Sequence, residues 1–238
     1  MEIIIKENID ELIRLNADLF VQIANEAIAQ NGRFSVALSG GSSPKKMFEL
    51  LAAEYKTATD WNNIYFFFGD ERYVPSDSPD SNYLMAKTAF LDALNIPEEN
   101  IFAVDTEVDP ASAALEYAKC ICLFFEDEPV FDLILLGLGN DAHTASLFPH
   151  TSVLWIDEEF VKEVYVETQQ VYRITLTAPL INKAKNIAFL TFGLAKAEAV
   201  KAVINGKKDI NNYPAQLIDP CNGKVYWFLD TTAASLLV

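Results

Sequence analysis

The chain has 238 residues, 51% of them hydrophobic, and its 34 acidic against 18 basic residues give a formal net charge of −16. That length and apolar content are enough for a sizeable packed core and exclude a disordered chain. The acidic excess argues against nucleic acid and anionic membrane as partners, because both are held mainly by Lys and Arg. A small anionic substrate stays compatible if local basic residues overcome the general field.

The cysteines and the N-terminus indicate a compartment. Cys120, Cys122 and Cys221 are odd in number and lack metal-ligand spacing, which favours reduced thiols. The N-terminal apolar run is too short for a signal peptide, and no apolar stretch approaches the length of a membrane span. We expect a soluble, cytoplasmic protein.

Hydrophobic periodicity predicts strands and helices in alternation. Strands are predicted at 2–6, 34–38, 64–68, 133–136, 161–167, 171–177, 187–192 and 224–229. Helices are predicted at 10–29, 44–55, 81–94, 111–125 and 194–204. This order predicts an α/β fold with βαβ units around a largely parallel sheet. Without an internal repeat, a low-complexity linker or a composition break, one domain over residues 1–238 is expected.

Residues 39–44, SGGSSP, connect a predicted strand to a predicted helix. Free N–H groups at a helix N-terminus, its positive dipole end and small residues make an anion site. The loop is not a Walker motif, because the GK[ST] ending is absent. The alternative is a plain helix cap by serine, but two glycines among three serines exceed what capping needs. Phosphate binding is therefore favoured.

Residues 69–75, GDERYVP, also follow an apolar strand. Arg72 offers a rigid multi-donor fork to an anion or oxyanion. Asp70 or Glu71 could accept bonds from sugar hydroxyls, orient another side chain, or pair with Arg72. A solvated loop and a functional loop fit this segment equally well, and the choice stays open on spacing alone.

The central segment is residues 131–149, FDLILLGLGNDAHTASLFP, in which a buried strand runs into Gly137 and Gly139 and then Asp141 and His143. Ligands of open α/β sheets bind in loops that leave the carboxyl ends of strands, and the two glycines suit a sharp turn there. His143 could serve there as a general base or be a satisfied core histidine, and its polar surroundings favour the base. His150 is expected to face solvent.

GLGNDA, residues 137–142, matches the GxGxxA dinucleotide fingerprint after a strand. The match is weak, because a carboxylate would stand near the helix start where a pyrophosphate belongs. Two basic residues complete the candidates: Arg173 within an alternating strand, and Lys196 where a strand meets a helix. Each is either paired structurally or directed at an anion, and phosphate is preferred if the serine loop lies nearby.

Five ordered blocks resemble the 6-phosphogluconolactonases over nearly the whole chain. They are ALSGGSSPKKMFELL, WNNIYFFFGDERYVPSDSPDSNYLMAKTAFL, FDLILLGLGNDAHTASLFP, YRITLTAPLINKAKNIAFLTFGLAKAEAV and YPAQLIDPCNGKVYWFLDTTAA. That family belongs to a wider Rossmann-like group, with helices on both faces of the sheet, that includes glucosamine-6-phosphate deaminases and is similar in fold to ribose-5-phosphate isomerase.

The resemblance implies hydrolysis of a small-molecule sugar-phosphate lactone, 6-phospho-D-glucono-1,5-lactone, without metal or organic cofactor. It implies His143 as the base that activates water, Asp141 as its orienting acid, Arg72 as the oxyanion donor and Asp70 as an ordering residue. The 6-phosphate would be received by Ser39, Gly40, Gly41, Ser42, Ser43, Arg173 and Lys196. Whether the chain acts as a monomer or a homodimer is left open.

One position departs from the family pattern: Ala142 stands where the family usually has Gly. If that position needs a positive φ, Ala costs on the order of 1 kcal/mol. Two other functions compete with lactone hydrolysis. HTASLFP and DERYVP, where deaminases typically read GHIAFNEP and DEYVG, disfavour a glucosamine-6-phosphate deaminase. The intact Asp141 and His143 disfavour a catalytically silent sugar-phosphate binding protein.

Overall fold

The computed structural model describes residues 1–237 and is built from strands and helices in alternation. The strands are β1 (Glu2–Lys6), β2 (Phe34–Leu38), β3 (Ile64–Phe68), β4 (Asp70–Arg72), β5 (Leu133–Leu136), β6 (Val161–Val166), β7 (Val171–Leu176), β8 (Asn186–Thr191) and β9 (Lys224–Asp230). The α-helices are α1 (Ile9–Asn31), α2 (Ser42–Glu54), α3 (Asn82–Ala86), α4 (Pro110–Phe125), α5 (Ala178–Ile181) and α6 (Ala197–Asn205).

Six strands form one sheet in the order β1-β9-β8-β5-β2-β3, and every neighbouring pair is parallel. Helices cover both faces, so β5 is apolar throughout, as a doubly covered strand must be. Its Leu133 and Leu135 belong to the core shared with α1 and α2, whereas Ile134 and Leu136 belong to the core shared with α4, α5 and α6. The predicted α/β class with a largely parallel, Rossmann-like sheet is confirmed.

The first helix illustrates how local sequence sets the element ends. Asn8 caps α1 by accepting a hydrogen bond from the Asp10 N–H at 2.8 Å. Gly32 ends the helix in the left-handed region, with φ 74° and its N–H on the Ile28 carbonyl. Both boundaries agree with the predicted helix to within two residues.

A second, antiparallel sheet of order β4-β7-β6 was not predicted. The four residues between β6 and β7 are too few for a parallel crossover, so the two strands pair as a hairpin. β4 was expected to be part of a polar loop, because its three charged residues carry no strand pattern. Gly69 joins the two sheets, since its N–H donates to Leu38 of β2 and its carbonyl accepts from Leu176 of β7.

Two predicted helices are irregular. The helix expected at 81–94 is α3 followed by a π-helical turn over Lys87–Leu91. The helix expected at 194–204 begins as a 3₁₀ turn, Leu194–Lys196, before α6. No helix among the described residues has the length and apolarity needed to cross a membrane.

The parallel strands place the candidate residues at one edge of the sheet. β2, β3 and β5 run into residues 39, 69 and 137, and β8 ends at Thr191. Because these carboxyl ends meet at the same edge, the loops that follow them surround a common space.

Candidate active site

A cleft of about 370 Å³ lies at this edge. Its lining includes every residue predicted for catalysis or phosphate binding except Asp141. These lining residues are Ser39, Gly40, Gly41, Ser42, Ser43, Asp70, Arg72, His143, Arg173 and Lys196. Segments that are up to about 160 residues apart in the chain are therefore brought to one site.

His143 and Asp141 form a hydrogen-bonded pair, with Nδ1 of the ring 2.5 Å from Oδ1 of the carboxylate. Burial acts to raise the pKa of Asp141, but the hydrogen bond and charge of His143 outweigh it, and the net shift is downward. One face of the His143 ring stacks on Phe148, with the ring centroids 4.1 Å apart. With Nδ1 engaged and the side chain 28% exposed, Nε2 remains available to the cleft, unlike that of a satisfied core histidine.

The loop around this pair is a tight turn and not the start of a helix. Gly139 N–H donates to the His143 carbonyl at 2.8 Å, and Ala142 N–H donates to the Gly139 carbonyl at 3.1 Å. The expected helix start at Asp141 is therefore wrong, and the loop lacks the helix N-terminus that a dinucleotide fingerprint requires.

Gly139 is needed for a different reason from the one predicted, whereas Gly137 leaves room for a side chain. Neither Gly137 nor Gly139 is in the left-handed region. A Cβ on Gly139 would lie 2.1 Å from His143 Nδ1, whereas one on Gly137 would meet its nearest atom, Ser39 Oγ, at 3.8 Å. The residue with left-handed backbone is Ala142, at φ 61° and fully buried. The destabilisation of about 1 kcal/mol expected for an alanine at positive φ therefore applies to Ala142.

The three charged residues of β4 divide between two environments. Asp70 and Arg72 line the cleft. Glu71 points the opposite way and accepts hydrogen bonds from the N–H groups of Arg72, Asn82 and Tyr83 and from the Ser81 hydroxyl. Burial raises the pKa of Glu71, and the three backbone N–H groups oppose that shift. Glu71 thus fixes the start of α3 and does not pair with the Arg72 guanidinium.

Asp70 connects three segments of the site. Its Oδ2 accepts a hydrogen bond from Ser146 Oγ at 2.6 Å and lies 3.7 Å from Arg173 Nη1. Asn82 donates to its backbone carbonyl at 2.8 Å. Asp70 is 6% exposed, so its carboxylate is a structural partner of Ser146 and Arg173 in this state of the cleft.

Arg173 is almost fully buried, at 8% exposure, and its Nη2 donates to the Gln169 Oε1. Burial lowers the pKa of Arg173, Asp70 opposes this shift, and the neighbouring charge of Arg72 adds to it. Arg72 itself donates from Nη1 to the Asp80 carbonyl at 2.7 Å.

The serine loop presents backbone to the cleft. Gly41, at φ 105°, is the N-cap residue of α2, and no side chain caps this helix. The interpretation of the loop as a serine cap is therefore wrong, and the first N–H groups of α2 are left for another acceptor. Lys196 approaches the same cleft; burial lowers its pKa, and the charge of Asp141 partly opposes the shift.

Several other lining residues were missed from sequence, among them the polar residues Asn82, Gln169 and Thr191. Asn82 packs so tightly on the serine loop that a Cβ on Gly40 would lie 1.9 Å from its Oδ1. Nothing in the local sequence signals this contact, which depends on the fold.

Buried polar atoms without partners concentrate at the cleft. In residues 1–237, lining side chains with such atoms are Arg72 (Nε), Asn82 (Oδ1), Arg173 (Nε) and Thr191 (Oγ1). Buried polar groups are normally satisfied, so their accumulation indicates a site for a polar ligand. No three His, Cys, Asp or Glu side chains among the described residues gather as metal ligands would. The chemistry available is one carboxylate-held imidazole facing guanidinium, ammonium and backbone donors.

Comparisons with known proteins identify the family of the chain. A family model described as glucosamine-6-phosphate isomerases/6-phosphogluconolactonase matches residues 7–227. The chain is 42% identical over 231 residues to a 6-phosphogluconolactonase of Nostoc sp., covering 95% of this chain and 94% of that protein. It is 43% identical over 217 residues to one of Synechocystis sp., covering 89% and 88%.

The solved structures extend the likeness to the fold. A 6-phosphogluconolactonase from Trypanosoma cruzi superposes with a TM-score of 0.91 at 31% identity, over 100% of this chain and 97% of that one. A monomeric glucosamine-6-phosphate deaminase superposes with a TM-score of 0.86 at 21% identity over 99% and 100%, which shows a shared fold alone. The chain therefore belongs to the family of glucosamine-6-phosphate isomerases and 6-phosphogluconolactonases.

Proposed function

We propose that this protein hydrolyses 6-phospho-D-glucono-1,5-lactone to 6-phospho-D-gluconate. The observation that carries the proposal is that one cleft is lined both by an imidazole hydrogen-bonded to a carboxylate and by a cluster of anion-binding groups. The relatives named 6-phosphogluconolactonase at 42% and 43% identity support the same substrate.

Water attack starts at His143. Its Nδ1 is held by Asp141, so Nε2 takes the proton from a water molecule as the water oxygen bonds to the lactone carbonyl carbon. Negative charge develops on the carbonyl oxygen, and Arg72 supplies donors for it. The tetrahedral intermediate then collapses, the bond from that carbon to the ring oxygen breaks, and the imidazolium returns the proton to the ring oxygen. A lactone is an activated ester, so this step needs no covalent nucleophile.

The 6-phosphate is received by a second set of groups in the same cleft. The free N–H groups at the start of α2, the hydroxyls of the serine loop, Arg173 and Lys196 supply positive potential and donors in a protein whose net charge is −16. Holding the remote phosphate fixes the carbonyl against His143, which converts binding energy into orientation.

Asp70 serves this arrangement indirectly. It accepts a hydrogen bond from Ser146 of the central segment and pairs with Arg173 of β7, and so holds these two segments together. The partner implied is a small-molecule sugar-phosphate lactone in the cytoplasm. No role for nucleic acid or a membrane is proposed.

The test offers two substrates to the purified protein. Freshly generated 6-phosphogluconolactone is followed by coupled oxidation of the 6-phosphogluconate formed, with spontaneous opening measured in protein-free buffer. Glucosamine 6-phosphate is followed by ammonia release. We expect lactone opening well above background and no ammonia; ammonia release without lactone opening would overturn the proposal in favour of a deaminase. Calorimetric binding of 6-phosphogluconate with neither activity would instead indicate a silent binding protein.

A further inference from the structure

Strand β1 is an edge of the six-stranded sheet, with β9 on one side. The Lys6 carbonyl accepts from Thr231 N–H at 3.1 Å, so Lys6 directs its backbone groups toward β9. In a parallel pair the backbone groups alternate in direction along the strand, so Ile4 also faces β9. The N–H and C=O groups of Ile3 and Ile5 therefore point outward, away from the sheet.

This edge is also apolar on the surface. Ile3 is 38% exposed and Ile5 is 45% exposed, and both side chains lie on one face of the strand. Ile4, on the other face, packs against the core beneath α1. An edge strand with open backbone groups and exposed isoleucines is a template for pairing with another strand.

The sequence of β1, EIIIK, is complementary to itself when reversed, because three isoleucines lie between an acidic and a basic end. An antiparallel copy centred on Ile4 sets Glu2 opposite Lys6 of the second copy, and Lys6 opposite Glu2. In the same register, Ile3 of each copy lies opposite Ile5 of the other, and all four side chains lie on the same face of the sheet. A parallel copy in register would instead set like charges side by side, which is unfavourable.

We propose that β1 is a self-association surface through which two copies of this chain pair antiparallel about a two-fold axis. The outward groups of Ile3 and Ile5 from both copies then form four backbone hydrogen bonds, and their side chains form a four-isoleucine cluster. Such an interface is isologous and closed. It stops at two chains because the opposite sheet edge, β3, is partly occupied: Phe66 forms a bridge with Ile101 and accepts from the Phe102 N–H.

The competing role for the same charges is protection of the edge, since Lys and other charged residues commonly blunt edge strands. Lys6 also has a partner within its own chain, Glu11, at 2.6 Å. That pair is 37% and 51% exposed, so Lys6 can be shared with a carboxylate from a second copy. The pairing of five-residue strands buries little area, so the dimer is expected to be weak and concentration-dependent.

Sedimentation velocity over a concentration series tests the proposal, with charge exchange as the specific probe. Wild type is expected to pass reversibly from monomer to dimer. Glu2→Lys alone and Lys6→Glu alone should each weaken association at least tenfold at low salt. An equimolar mixture of the two should form a heterodimer, because Lys then faces Glu at both ends, and the double variant should recover self-association.

Two further variants distinguish the contribution of backbone pairing from that of the charged side chains. Ile5→Pro removes an outward N–H without taking a bond from β9 and should abolish the dimer, with circular dichroism confirming the fold. Glu11→Gln removes the internal partner of Lys6 and should leave the dimer intact.

A wild type that stays monomeric up to its solubility limit overturns the proposal. So does a dimer that is insensitive to both Glu2→Lys and Ile5→Pro. No residue of β1 lines the cleft, so lactone hydrolysis should be unchanged in every variant.

Discussion

Arg72 on β4 lies directly opposite Arg173 on β7, so two guanidinium groups face the same cleft from adjacent antiparallel strands. Like charges directly opposite each other destabilise a sheet. The carboxylate of Asp70, 3.7 Å from Arg173, offsets part of this repulsion. The remaining positive charge is what a dianionic phosphate or a developing oxyanion would neutralise.

Arg173→Ala should mainly raise KM for the lactone, by about 10- to 100-fold, because a charge-assisted hydrogen bond contributes roughly 1.5–3 kcal/mol. The value of kcat should change much less, since Arg173 is proposed to hold the phosphate and not the reacting carbonyl. Steady-state kinetics with the coupled assay measure both constants. Arg14→Ala, which removes a surface pair with Glu54, is the matched control and should leave both unchanged. An unaltered KM in the Arg173 variant would remove this residue from the phosphate site.

His143→Ala should lower kcat by about 10²- to 10⁴-fold, the usual contribution of a general base. The affinity for 6-phosphogluconate measured by calorimetry should stay near that of wild type, because the residues proposed to bind the phosphate are unchanged. The chain supplies its own control in His150, which is exposed, as predicted, and bonded to Asn211. His150→Ala should retain full activity, whereas full activity in the His143 variant would show that another group activates the water.

Gly139→Ala and Gly137→Ala should differ sharply although they lie two residues apart. The new Cβ at 139 would sit 2.1 Å from His143 Nδ1 and 2.4 Å from Asp141 Oδ1, so the pair must move. Displacement of a catalytic group by about 1 Å can cost on the order of 100-fold in rate, and we expect a loss of that size in kcat. At 137 the nearest atom is 3.8 Å away, and activity should be retained. Equal activities in the two variants would contradict the described geometry of the loop.

Ala142→Gly should leave the free energy of unfolding nearly unchanged. Relief of a left-handed alanine gains about 1 kcal/mol, and loss of a buried methyl group together with greater freedom of the unfolded chain costs about the same. Ala142→Val should destabilise by more than about 2 kcal/mol, because a β-branched side chain is strained at φ 61° and the position is fully buried. Urea unfolding of the three proteins makes the comparison, and a stable valine variant would argue against the assigned backbone.

Affinity for 6-phosphogluconate should fall as the pH rises into the alkaline range. Burial lowers the pKa of Lys196 from its ordinary value, so this lysine loses its positive charge at a lower pH than an exposed lysine does. Deprotonation removes one of the charges that are proposed to hold the phosphate. Calorimetric titrations across this range measure the decline. Lys196→Arg, which keeps its charge, should bind with a flatter pH profile, and identical profiles for the two proteins would exclude Lys196 from the phosphate contact.

The parallel sheet was predictable because its strands are short apolar runs separated by helical periodicity, as β5 and α1 illustrate. The gathering of His143, Arg72 and the serine loop at one edge was predictable from the rule that ligands collect at strand carboxyl ends. Strand β4 was not, because its three charged residues follow neither the alternating nor the continuous apolar pattern and pair only through tertiary contacts.

The finer contacts of the site were also beyond local sequence. Asn82 packs against Gly40, and Thr191 ends a strand with a buried hydroxyl that has no protein partner. Both residues look like ordinary cap or strand residues in isolation. Gly139 was predicted to provide backbone freedom. The structure instead requires glycine there because the Asp141 and His143 side chains fill the space that a Cβ would need. Such requirements arise only when the loop closes on itself.

The opposite directions of Glu71 and its neighbours on β4 have an evolutionary consequence. One face of this three-residue strand supplies Asp70 and Arg72 to the cleft, and the other inserts Glu71 among four donors. Insertion or deletion of a single residue between Gly69 and Tyr73 would exchange the two faces, exposing the carboxylate to the substrate and driving a guanidinium into the helix start. Descendants of this chain can therefore vary the length of most surface loops but not the spacing of this segment.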